Sequence, residues 1–131
     1  MKGMLVTADN EFAEVELLSP LSKSAVELLG GSVEHIVPPL LESPYCMIIN
    51  GESAILGLPE NRAGCYLYDT DEHNIPILGD IVILKDVWTV GGIEIAGLEA
   101  ADIASVTEIL EEVFMEVECG QPANTKEKRF D

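Results

Sequence analysis

The sequence predicts an α+β domain, an antiparallel, curved β-sheet with two main helices packed on one face. Three observations predict it. Residues 12–18 and 32–37 alternate apolar and polar side chains at period two, the pattern of strands with one wet face. Residues 99–117 repeat apolar side chains at three- and four-residue steps, the pattern of an amphipathic helix. Hydrophobic residues make up 47% of the chain, enough for a core despite a formal charge of −17.

The elements follow in order. Residues 4–9 and 12–18 read as a strand pair, with Glu14 and Glu16 alternating against Ala13, Val15 and Leu17. Ser19 as N-cap and Pro20 at the first helical position open a helix to about residue 29. Leu21, Ala25, Leu28 and Leu29 share one face of it, and Gly30-Gly31 stops it. Ser32 to Val37 is a third strand, closed by Pro38-Pro39. Asn50-Gly51 lies between apolar residues 45–49 and 53–56, the sequence signature of a tight hairpin. Residues 60–67 read as a short helix or a turn, and residues 69–74 as a polar loop.

Ile81-Val82-Ile83-Leu84 is a continuous apolar run and so a central strand. Residues 88–95, interrupted by Gly91-Gly92, read as an edge strand or an irregular extension. In the last helix, Ile103, Val106, Ile109, Leu110, Val113 and Phe114 form the dry side, and Glu108, Glu111, Glu112 and Glu116 the wet side. These elements form one domain over residues 1–119, and residues 120–131, which have no periodicity, form a flexible tail.

Charge bounds the partners. Residues 1–119 contain 22 acidic side chains against four basic ones, Lys2, Lys23, Arg62 and Lys85, a formal charge of −18. A phosphate backbone is neutralised by clustered Lys or Arg, so direct binding of nucleic acid is excluded as an expectation, and an anionic membrane surface with it. No apolar run approaches the roughly 20 residues of a membrane span. No signal-peptide core follows Met1, so a cytoplasmic location is the expectation. Cys46, Cys65 and Cys119 are odd in number and far apart, so no disulfide framework is expected. An acidic surface serves solubility, or steers the chain toward a basic partner protein.

Catalytic motifs are lacking. No GxSxG elbow, P-loop or dinucleotide fingerprint occurs. Neither His35 nor His73 has a second ligand at metal spacing, so no metal, cofactor or catalytic residue is expected. Asp69 and Asp80 have the separation of a calcium loop, but Asn74 replaces its glycine and His73 an oxygen ligand.

Four residues stand out as a candidate binding site. Arg62 is the single basic residue between Lys23 and Lys85, and is either a structural hub or a clamp for an anion. Asn61 beside it caps a turn or meets a ligand. Tyr66 and Tyr68, expected to point to the same side, line a pocket or simply cover the sheet. Trp88, the one tryptophan, is either core or an exposed anchor.

The string Leu58-Pro59-Glu60-Asn61-Arg62-Ala63 is the most specific part of a wider pattern. Leu29-Gly30-Gly31 and Ile49-Asn50-Gly51-Glu52 precede it, and Ile77-Leu78-Gly79-Asp80-Ile81-Val82-Ile83 follows. Over residues 30–98 this pattern resembles a small uncharacterised family of bacteriophages and mobile elements of Gram-positive bacteria, catalogued as a domain of unknown function. The resemblance implies a host-cell setting and, for a small acidic phage protein, a counter-defence role. It assigns no role to any residue.

The expected function is therefore a non-catalytic binding protein that inhibits a host protein through its acidic surface. The alternative is a sponge for a small anionic nucleotide signal held near Arg62, in the form of a homo-oligomer with pockets between chains. A purely structural role is the third reading.

Overall fold

The computed structural model describes residues 1–18 and 21–119. The predicted helix start at Ser19-Pro20 and the predicted tail 120–131 lie outside the described residues. The elements run β1 (Lys2–Val6), β2 (Phe12–Glu16), α1 (Leu21–Leu29), β3 (Val33–Ile36), β4 (Tyr45–Asn50) and α2 (Ser53–Leu56). They continue with α3 (Arg62–Tyr68), α4 (Thr70–His73), β5 (Ile81–Thr89), β6 (Gly92–Ala96) and α5 (Ala100–Cys119). The fold is α+β, and every strand pairing is antiparallel.

The sheet order is β2-β1-β5-β4-β3, with β6 also on β5. Strand β5 is long enough to take two partners along one edge. β1 pairs with its residues 81–83 and β6 with residues 85–89. The backbone N–H of Leu98 donates to the Lys2 carbonyl at 2.8 Å, joining the ends of these two partners.

Both faces of the sheet are covered. Met4, Val6, Tyr45, Met47, Ile81 and Ile83 point to one face and pack under Leu67 of α3 and Val106, Leu110 and Val113 of α5. Cys46, Ile48, Val82 and Leu84 point to the other face, where they meet Leu17 and Ala25 and Leu29 of α1. The two main helices, expected on one face, thus divide between the two. The apolar run 81–84 is the reason: with no polar alternate position, each side of β5 requires cover.

Helix α1 ends as its glycines predict. Gly30 has a φ of 86°, the left-handed conformation of a helix stop. The Asn50-Gly51 hairpin does not form. Residues 53–56 are the short helix α2, and the Asn50 side chain accounts for the change. Its Oδ1 accepts the Glu52 N–H at 2.7 Å, turning the chain into a helical start, while its Nδ2 donates to the Leu29 carbonyl at 2.9 Å. The polar stretch 69–74 contains α4, flanked by Asp69 and Asn74 at positive φ. Residues 88–95 resolve into the tip of a β5–β6 hairpin, with Trp88 opposite Ile93 and Thr89 opposite Gly92.

Candidate functional site

The four predicted site residues do not form one site. Asn61 is fully buried at the N-terminus of α3. Its Oδ1 accepts the Gly64 N–H at 2.8 Å, and its Nδ2 donates to the Val6 carbonyl at 3.0 Å and the Gly79 carbonyl at 2.9 Å. Every hydrogen-bonding group of the amide is spent on the fold.

Arg62 follows it on α3 and is half-buried. Its guanidinium donates to the Val117 carbonyl in the last turn of α5. The last carbonyls of a helix lack intrahelical partners and carry the negative end of its dipole, so a guanidinium there is well placed. Tyr66 lies one turn further along α3 and is exposed. Tyr66 and Tyr68, expected to point the same way, are on a helix and diverge: Tyr68 is half-buried against the core.

Trp88 is elsewhere. Lys85 of β5 contacts Asp102, and Arg62 contacts Val117, so 15 helical residues or about 22 Å of α5 separate the two contacts. Trp88 lies three residues beyond Lys85, 82% exposed, with Val90 and Ile93 also exposed on the same hairpin.

What the structure does assemble is an acidic surface on which most of the few basic side chains are held by acceptors of the same chain. Lys2 pairs with Glu14 at 3.5 Å, and Lys85 with Asp102 at 2.6 Å. Arg62 is held by Val117, which leaves Lys23, on the outside of α1. On α5, Glu108, Glu111, Glu112 and Glu116 are all exposed. Between α3, residues 40–42 and this helix lies a groove of about 570 Å³. Leu40, Tyr66, Ile109 and Met115 supply its apolar lining, and Glu42, Glu112 and Glu116 its carboxylates.

Asp102 fixes the start of α5. It accepts from Lys85 Nζ at 2.6 Å, from the Glu99 N–H at 2.9 Å and from Tyr45 Oη at 3.1 Å. The Lys85 ammonium, then the Glu99 N–H, hold its carboxyl below the ordinary 3.8. The same hydrogen bond holds Lys85 above its ordinary 10.5. Burial, the largest cause, pushes the Tyr45 phenol up.

A second constellation lies on the α1 face of the sheet. His35 of β3 is paired with Ile48 of β4, Cys46 of β4 with Leu84 of β5, and Asp86 follows two residues later. Ile48, Cys46, Leu84 and Asp86 therefore share one face, and His35 joins them. His35 Nε2 and Asp86 Oδ1 are 2.9 Å apart, and one ligand atom from each of the three residues lies within 4.8 Å of the others. Burial first, and the Asp86 carboxylate second, push the Cys46 thiol up to about 12. That is an inert thiol rather than a nucleophile. Sequence spacing could not find this trio, because three strands in register bring it together.

A family model described as "Domain of unknown function (DUF3846)" matches residues 1–114. No curated protein and no solved structure matches the chain.

Proposed function

The chain belongs to the DUF3846 family of domains of unknown function, and from that premise we propose that it is a non-catalytic binding protein that docks on a basic protein surface. One observation carries the reading. Residues 1–119 hold 22 acidic side chains against four basic ones, and two of those four, Lys2 and Lys85, are paired with carboxylates of this same chain, so the surface offers carboxylates with little positive charge between them. Such a surface speeds encounter with a basic partner and rejects acidic ones.

The groove between α3 and α5 is where this surface has a shape. Its apolar lining and three carboxylates suit a basic amphipathic segment, whose apolar residues enter while its Lys and Arg meet Glu42, Glu112 and Glu116. The family resemblance in the sequence supports a phage or mobile-element setting, with a host defence protein as target inside the host cell. A nucleotide held near Arg62 has weaker support, because the guanidinium is engaged by Val117 and the groove beside Tyr66 is lined with carboxylates that repel phosphate.

The test uses capture from host lysate at low salt to identify a partner, followed by affinity measurement between purified components. Binding should weaken at least about tenfold from about 50 to 300 mM salt. The double variant Glu112→Lys/Glu116→Lys should weaken it by a similar factor. Affinity indifferent to salt, or unchanged in the double variant, would sink the proposal. A melting temperature raised by a nucleotide signal, and by no protein, would favour the alternative instead.

A further inference from the structure

We propose that His35, Cys46 and Asp86 form a binding site for a zinc-class divalent transition ion on the α1 face of the sheet. This goes beyond the partner-binding reading and involves none of its residues. The donor set is a thiol, an imidazole and a carboxylate, the three ligand types that zinc takes from proteins. Three protein ligands leave a fourth position open to water.

The geometry is close to what an ion requires. Zinc bonds of about 2.0–2.3 Å place neighbouring ligand atoms roughly 3.5 Å apart in a tetrahedral site. The three atoms already lie within 4.8 Å of one another, and the His35–Asp86 pair, at 2.9 Å, needs only to part slightly. Cys46 is fixed in the sheet, with none of its surface exposed, whereas the His35 side chain is 38% exposed on edge strand β3. The ring can therefore move inward, and it opens a path for the ion from solvent.

The charges also agree. A thiolate and a carboxylate balance a divalent cation, with the imidazole neutral. On binding, the Cys46 thiol releases one proton to solvent, and His35 carries its remaining proton on Nδ1 so that Nε2 is free to ligate. Lys85, the adjacent cation, does not compete. It points to the opposite face and is held by Asp102.

The experiment titrates the full chain, stripped with chelator, with cobalt(II) and then zinc. The expected result is one cobalt per chain with a thiolate-to-metal absorption band in the near ultraviolet, displaced by zinc. His35→Ala removes an exposed ring and leaves the core intact. It should weaken zinc binding at least about tenfold, and Asp86→Asn should do the same. Circular dichroism of each variant confirms that it is folded. No thiolate band in the wild-type chain would overturn the site. So would a band and affinity unchanged in both folded variants.

Discussion

Asn61 shows how one residue can look like a ligand contact and serve the fold instead. Its amide caps α3 and holds two carbonyls, Val6 on β1 and Gly79 ahead of β5, from a fully buried position. Asn61→Ala removes the cap and leaves both carbonyls short of a donor. Losing the cap costs about 1 kcal/mol, and each buried unpaired group about 1 kcal/mol or more. A loss of about 3 kcal/mol in urea unfolding is therefore expected. Asn61→Asp keeps the cap acceptor but sets a buried carboxylate against two carbonyls, and should be worse still at neutral pH. An unfolding midpoint unchanged in both variants would refute this account. The sequence allowed Asn61 a cap or a ligand contact because both roles use the same side chain. The local string Asn61-Arg62-Ala63 contains nothing about Val6, which is 55 positions away. Arg62 is the same case: its acceptor, the Val117 carbonyl, exists only because α5 ends beside α3.

At the scale of elements, the legible parts were those whose own periodicity decides them. β5 reads as central from its unbroken apolar run, and α5 from its three- and four-residue repeat with Glu108, Glu111, Glu112 and Glu116 outside. Asn50-Gly51 misled because tertiary contact outweighed turn propensity: the Asn50 amide is drawn to the Leu29 carbonyl, which only the packed α1 supplies. The His35, Cys46 and Asp86 trio was illegible for the same reason, since register is a property of three strands together. The join between α5 and the sheet gives an element-level prediction. Asp102 ties the first turn of α5 to Tyr45 on β4 and Lys85 on β5. Its carboxyl is depressed below 3.8, so its contribution is present above that pH and is lost as pH falls through the lower, folded value. Lys85 is raised above 10.5, so its contribution is present below that pH and is lost as pH rises through the higher, folded value. Asp102→Asn should lower stability at neutral pH and flatten the acid limb of the stability profile near and below the ordinary carboxylate range. Urea unfolding at a series of pH values measures it. An acid limb as steep as that of the wild-type chain would show that other carboxylates control it.

For the molecule as a whole, the decisive quantity is the formal charge of −18 over residues 1–119. Among the described residues, ion pairs relieve repulsion at Glu14, Glu16 and Asp102 and leave the four glutamates of α5 facing water. The remaining like charges repel within a compact body, and folding brings them closer than the unfolded chain does. Salt screens this repulsion, with a Debye length of about 10 Å at 0.1 M. The melting temperature should therefore rise with sodium chloride, by on the order of 5 °C between about 20 and 500 mM, equivalent to roughly 1 kcal/mol for a domain of this size. A melting temperature that is flat or falls across this range would mean that the acidic surface costs the fold nothing. The sign is opposite to that expected for partner binding, which the same salt weakens. Salt that stabilises the chain while releasing its partner separates loss of attraction from loss of structure. It also ties both effects to the same carboxylates: Glu112→Lys/Glu116→Lys should raise the low-salt melting temperature in the variant in which binding is lost.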